Sequence, residues 1–175
     1  MEAPNPEYRF DINGAWKQYL LDAGFVVVGG VVSKEQTAEF LDRTWDIIEK
    51  LGTVKRNDLS TRKARNYPWM MHGGMIQYLG HSQVQWDARE ACAPLFAALY
   101  DTTVENLSTS FDGLCFMDGN REYKTQNPTS FLHADQAPSK QFLYSIQGVL
   151  NLVDNGPDNG GFVCVPGSHL YKEFW

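Results

Sequence analysis

Between Ser33 and Gly52 the apolar positions Phe40, Leu41, Ile47, Ile48 and Leu51, with Thr44 among them, recur three and four residues apart. That spacing gathers them on one face of a helix. Ser33-Lys34-Glu35-Gln36 has the form of a capping box at its start, and Gly52 stops it. Upstream, Pro4 and Pro6 mark a flexible lead-in, after which Asp11 or Asn13 can cap a shorter helix with Trp16, Tyr19 and Leu20 on one side, ended by Gly24. Phe25 to Val28, closed by Gly29-Gly30, reads as a short buried strand. From Thr53 to Gly80 no period holds, which predicts a long irregular stretch. A further helix is predicted from Ser82 through Trp86 to Tyr100, broken or restarted at Pro94.

From Leu107 onward the pattern turns to strands. Leu107 to Met117, Ser130 to Gln136, Gln141 to Val153 and Phe162 to Val165 are separated by turn-forming runs such as Asp118-Gly119-Asn120. Helices first and strands second predict an α+β chain, taken as a single domain over 1–175 with a mainly helical part and long loop over 1–106 and strands over 107–175. In the third of these strands Gln147, Val149, Asn151 and Val153 share one face, and Ile146, Gly148, Leu150 and Leu152 the other. The polar face either lines the interior or faces solvent.

Composition narrows the class. The chain has 175 residues, 43% hydrophobic and 13% aromatic, enough to build a core and against disorder. Its net charge of −6 makes a nucleic-acid backbone an improbable partner, since the basic runs are only Lys55-Arg56 and Arg62-Lys63-Ala64-Arg65. Neither a signal peptide nor an apolar run long enough to span a bilayer is present, so no membrane association is expected and the reading is a cytoplasmic protein. Cys92, Cys115 and Cys164 are odd in number and widely spaced, which favours buried thiols over disulfides or a thiolate site. A homo-oligomer is left open.

The candidate chemistry sits in Phe131-Leu132-His133-Ala134-Asp135-Gln136. On an extended segment, side chains two apart share a face, so His133 and Asp135 can present an imidazole nitrogen and a carboxylate oxygen to one point. Such a pair supplies two-thirds of a 2-His-1-carboxylate triad, which leaves coordination positions open on Fe(II). Gln147 and Asn151 are candidates for hydrogen bonds to a bound oxoacid. His72, Gln77 and Tyr78, in the irregular stretch, are candidates for lining a substrate entrance. His169, in Pro166-Gly167-Ser168-His169, reads as a turn histidine able to hydrogen-bond backbone rather than as the third ligand.

Taken together, Gly24-Phe25-Val26-Val27-Val28, the helix from Ser33, the His133-Ala134-Asp135-Gln136 box, Asn151-Leu152-Val153-Asp154 and the block from Asn159-Gly160-Gly161 to Pro166-Gly167-Ser168-His169 resemble the phytanoyl-CoA dioxygenase family. The resemblance implies a double-stranded β-helix, a cupin-like jelly roll with helices on its outside. It implies Fe(II) held by His133 and Asp135, with 2-oxoglutarate as cosubstrate and a polar contact to it from Ser130. The reaction implied is hydroxylation of a small-molecule or acyl-type substrate with release of succinate and CO2. In the family the third metal ligand and an Arg for the far carboxylate of 2-oxoglutarate come later in the chain, which here is expected to mean beyond Trp175. A jelly roll needs about eight strands, so the roll is expected to be incomplete within these residues, as in the N-terminal portion of an oxygenase. The competing expectation is a non-catalytic jelly-roll binding or structural protein, or an inactive truncated homologue.

Overall fold

The computed structural model describes residues 8–71, 74–119, 132–135, 146–156 and 161–171. These fall into two compact units, one drawn from Met1–Val31, Thr125–Asn151 and Asn155–Trp175, the other from Val32–Lys124 and Leu152–Asp154.

In the first unit, β1 (Arg9–Asp11) pairs in parallel with β2 (Val27–Gly29), in the register Arg9↔Val27, Phe10↔Val28 and Asp11↔Gly29. Helix α1 (Trp16–Ala23) makes the crossover between them. Neither Asp11 nor Asn13 caps it. The cap position is Ala15, with no side-chain bond, because Asp11 is drawn into β1 and uses its carboxylate on the Asn13 N–H, 3.2 Å away. Gly24 does end the helix, at a φ of 80° that costs a glycine nothing, and its N–H reaches the Leu20 carbonyl at 2.8 Å. Phe10, Tyr19, Phe25 and Tyr8 pack as a chain of tilted rings with centroids 5.3 to 5.9 Å apart.

The second unit is built on α2 (Lys34–Leu51) and α3 (Gln83–Leu99), which pack together. The capping box forms as predicted: Ser33 Oγ accepts from the Gln36 N–H at 3.1 Å, and the Gln36 side chain accepts from the Ser33 N–H at 3.0 Å. Phe40, Thr44 and Ile48 form the buried stripe of α2. Arg43 on α2 reaches Asp87 on α3 at 2.5 Å, and the Asp87 carboxyl is held below its usual range first by a hydrogen bond from Gln83 and then by Arg43. Helix α3 runs through Pro94 without a break, a difference from the expected restart. One missing N–H does not end a helix packed against its neighbour.

The irregular stretch is pinned rather than loose. Ile48, Val54, Tyr67 and Ile76 form the core of this unit, with Trp45, Met70, Leu79, Leu114 and Phe116 packed around it. The Asn66 carbonyl accepts from Thr53 and Val54 at 2.8 and 3.1 Å, so close to Gly52 that a side chain there would overlap it. Arg56 is held by Asp42, Asp46 and Glu49, which lie along one side of α2. Asp118 is buried between Arg62, 3.2 Å away, and the hydroxyl of Tyr67.

Among the described residues, strand content is lower than the sequence pattern predicts. Within Leu107 to Met117 only β4 (Leu114–Cys115) forms a ladder, antiparallel to β3 (Met75–Ile76). Residues 132–134, 146–151 and 161–165 carry no ladder. Alternation selects which side chains share a face, but a ladder also needs a partner backbone about 4.8 Å away. The alternation is visible in part: Gln147, Val149 and Asn151 are exposed and Ile146 and Leu150 partly covered, whereas Gly148, expected on the same face as Ile146 and Leu150, is exposed.

Candidate metal centre

The first unit brings three of the candidate residues together. His133 and Asp135 lie on a short segment, neither helix nor strand, that bends at Asp135, and His133 Nε2 is 3.0 Å from Asp135 Oδ1. Both side chains are more than half exposed, at 59% and 57%. The other carboxylate oxygen, Oδ2, accepts a hydrogen bond from the Gln147 side-chain amide. Asp135 therefore meets a different partner through each oxygen.

The remaining candidates are elsewhere. Asn151 is exposed in the same unit as the pair. Gln77 and Tyr78 belong to the second unit, in a single 3-10 turn over Gln77–Leu79. Tyr78 stacks on Trp69, with centroids 6.4 Å apart, and donates its hydroxyl to the Trp69 carbonyl at 3.1 Å. His72 and Ser130 lie outside the described residues, as do Gln136 and the Asn159-Gly160 start of the last motif.

His169 has a structural task. Its Nε2 is 2.8 Å from the carbonyl of Leu21, in the last turn of α1, and the Gly167 N–H donates to the Ala23 carbonyl at 2.8 Å. The ring lies where a side chain on Gly24 would stand. The Pro-Gly-Ser-His turn thus satisfies carbonyls that the end of a helix leaves without partners.

The thiols differ from the buried reading: Cys115 is exposed and Cys92 and Cys164 are half-buried. Partial desolvation raises all three above the ordinary thiol value, which disfavours thiolate at neutral pH.

The donor set fits a hard-to-borderline divalent cation. An imidazole nitrogen and a carboxylate oxygen are donors of the kind such an ion accepts, and in the structure His133 Nε2 and Asp135 Oδ1 contact one another directly at 3.0 Å. Among the described residues no third His, Cys, Asp or Glu joins them.

The family described as Phytanoyl-CoA dioxygenase (PhyH) matches residues 20–175. The chain belongs to that family. Its match takes in His133, Asp135, Gln147 and the turn bearing His169. A relative from Aspergillus versicolor, "Ava biosynthesis cluster protein O", is 29% identical over 168 residues, covering 93% of this chain and 53% of the relative. The chain thus spans about half the length of that protein. No solved structure matches it.

Sequence reasoning offered Gln147 as a candidate donor to a bound oxoacid and did not foresee its contact with the carboxylate of Asp135. Its position on the polar face of an alternating segment was the available signal. The buried Asp118, with Arg62 and Tyr67, gave no signal, because its partners lie more than fifty residues away.

Proposed function

We propose that the chain carries the metal-holding part of an Fe(II)- and 2-oxoglutarate-dependent dioxygenase that hydroxylates a small-molecule or acyl-type substrate and releases succinate and CO2. The observation that carries this reading is the convergence of His133 Nε2 and Asp135 Oδ1 at 3.0 Å in a chain of this family. The accompanying fold proposal is a double-stranded β-helix. The relative's name, a biosynthesis cluster protein, supports a biosynthetic small molecule as substrate.

His133 and Asp135 would hold the metal. His133 must present neutral Nε2 and Asp135 must be ionised, since protonated donors have no lone pair to give. When bound, Fe(II) supplies open positions at which a keto acid chelates and O2 is activated. The exposed pair contributes little to folding, because exposed ion pairs are worth about 1 kcal/mol or less. Its side chains are therefore available for a ligand at small structural cost.

The test is succinate formation from 2-oxoglutarate by the full-length protein with Fe(II), with and without candidate substrates. Fe(II)-dependent succinate, lost in His133→Ala, is the expected result; no turnover under any condition, uncoupled turnover included, would overturn it. A non-catalytic binding protein on the same scaffold is the second reading, favoured by the two-residue donor set among the described residues. Stoichiometric Fe(II) or Mn(II) binding separates the two.

A further inference from the structure

We propose that Gln147 is a positioning residue that confines Asp135 to one-oxygen coordination. The inference rests on the oxygenase reading above and assigns a task to a side chain that reading leaves idle.

A carboxylate has two oxygens and about four lone-pair directions, so it can grip an ion through one oxygen or both. On a six-coordinate ion, two histidines and a one-oxygen carboxylate leave about three positions, enough for a chelating keto acid and O2. A carboxylate bound through both oxygens leaves one fewer. The second oxygen must therefore be kept off the metal.

The structure divides the two oxygens of Asp135 between two partners. Oδ1 faces His133 Nε2 at 3.0 Å, on the side where a shared ion would bind, while Oδ2 takes the amide of Gln147. The donor comes from a separate segment, twelve residues further on, so it holds Asp135 from outside the bend that carries it. An amide suits the task. It donates N–H without neutralising the charge that attracts the cation, as an Arg or Lys would.

The experiment compares Co(II) binding to the full-length protein and its variants by titration and visible absorption. Gln147→Met keeps the length and shape of the side chain and removes the N–H. Expected are altered absorption bands as Asp135 engages through both oxygens and, with them, a changed Co(II) affinity. Because Gln147 is exposed, the variant should fold, and Gln147→Leu provides the same reading should Met not. If either variant matches wild type in affinity and spectrum while His133→Ala loses the ion, the role of Gln147 is overturned and the oxygenase reading survives. If His133→Ala also binds Co(II) like wild type, both fall.

Discussion

In the proposed site His133 and Asp135 would hold the metal, and as an exposed pair they add little to folding. Replacing either by Ala is expected to abolish stoichiometric Fe(II) or Mn(II) binding while moving the urea midpoint by no more than about 1 kcal/mol of stability, because the pair is exposed. Calorimetric titration beside a urea curve checks both parts, and wild-type metal affinity in either variant removes the assignment. His169 should behave in the opposite way. Its ring serves the Leu21 carbonyl, so His169→Ala should keep metal affinity and lose about 1 kcal/mol of stability. The sequence carried both roles to different depths. The two-residue spacing from His133 to Asp135 forecast a common face, and a Pro-Gly-Ser turn forecast a histidine bonded to backbone; the particular carbonyl depended on the chain folding back over about 150 residues.

Elements written in local code were legible. Ser33 and Gln36 announce the start of α2, Gly52 its end, and Phe40, Thr44 and Ile48 its buried stripe. Strands were less so, since Leu107 to Met117 reads as a strand throughout yet only Leu114–Cys115 forms a ladder. Pairing is a property of two segments, and a pattern describes one. At Gly24 the helix end demands a positive φ and the His169 ring leaves no room for a side chain. Gly24→Ala is therefore expected to cost more than the roughly 1 kcal/mol of unfavourable backbone alone, measured by thermal unfolding. The stripe of carboxylates on α2 gives a pH signature. The Glu49 carboxyl lies below its usual range, chiefly because it accepts the Arg56 backbone N–H at 2.5 Å, with the Arg56 guanidinium adding to the effect. A folded value below the unfolded one means that this stabilisation is complete above the ordinary carboxylate range and is lost as pH falls through the folded value. Glu49→Gln should flatten the acid side of a stability-versus-pH curve; an unchanged acid limb would refute the contribution.

For the molecule as a whole, the largest energies lie in the core of the second unit. Ile48 and Ile76 are fully buried there with Val54. Ile48→Ala is expected to cost about 2–5 kcal/mol, read from urea unfolding followed by tryptophan fluorescence, since Trp45 packs edge-on against Phe116 beside that core. A loss below about 1 kcal/mol would mean that the core is not where stability resides. The helical part of this unit was readable from period and caps. Its long connecting stretch was not, because Val54, Tyr67 and Ile76 reach the core through turns set by hydrogen bonds such as those to the Asn66 carbonyl, and no repeating spacing marks them.

The parallel pairing of β1 with β2 bears on how the protein should be expressed. The family match begins at residue 20, inside α1 and after β1. A version trimmed to that boundary would lose Arg9–Asp11 and half the crossover helix, leaving the N–H and C=O groups of Val27–Gly29 open along one side. An uncovered strand of that kind can recruit neighbouring molecules, so a version that keeps β1 is expected to stay dispersed better than one trimmed at residue 20.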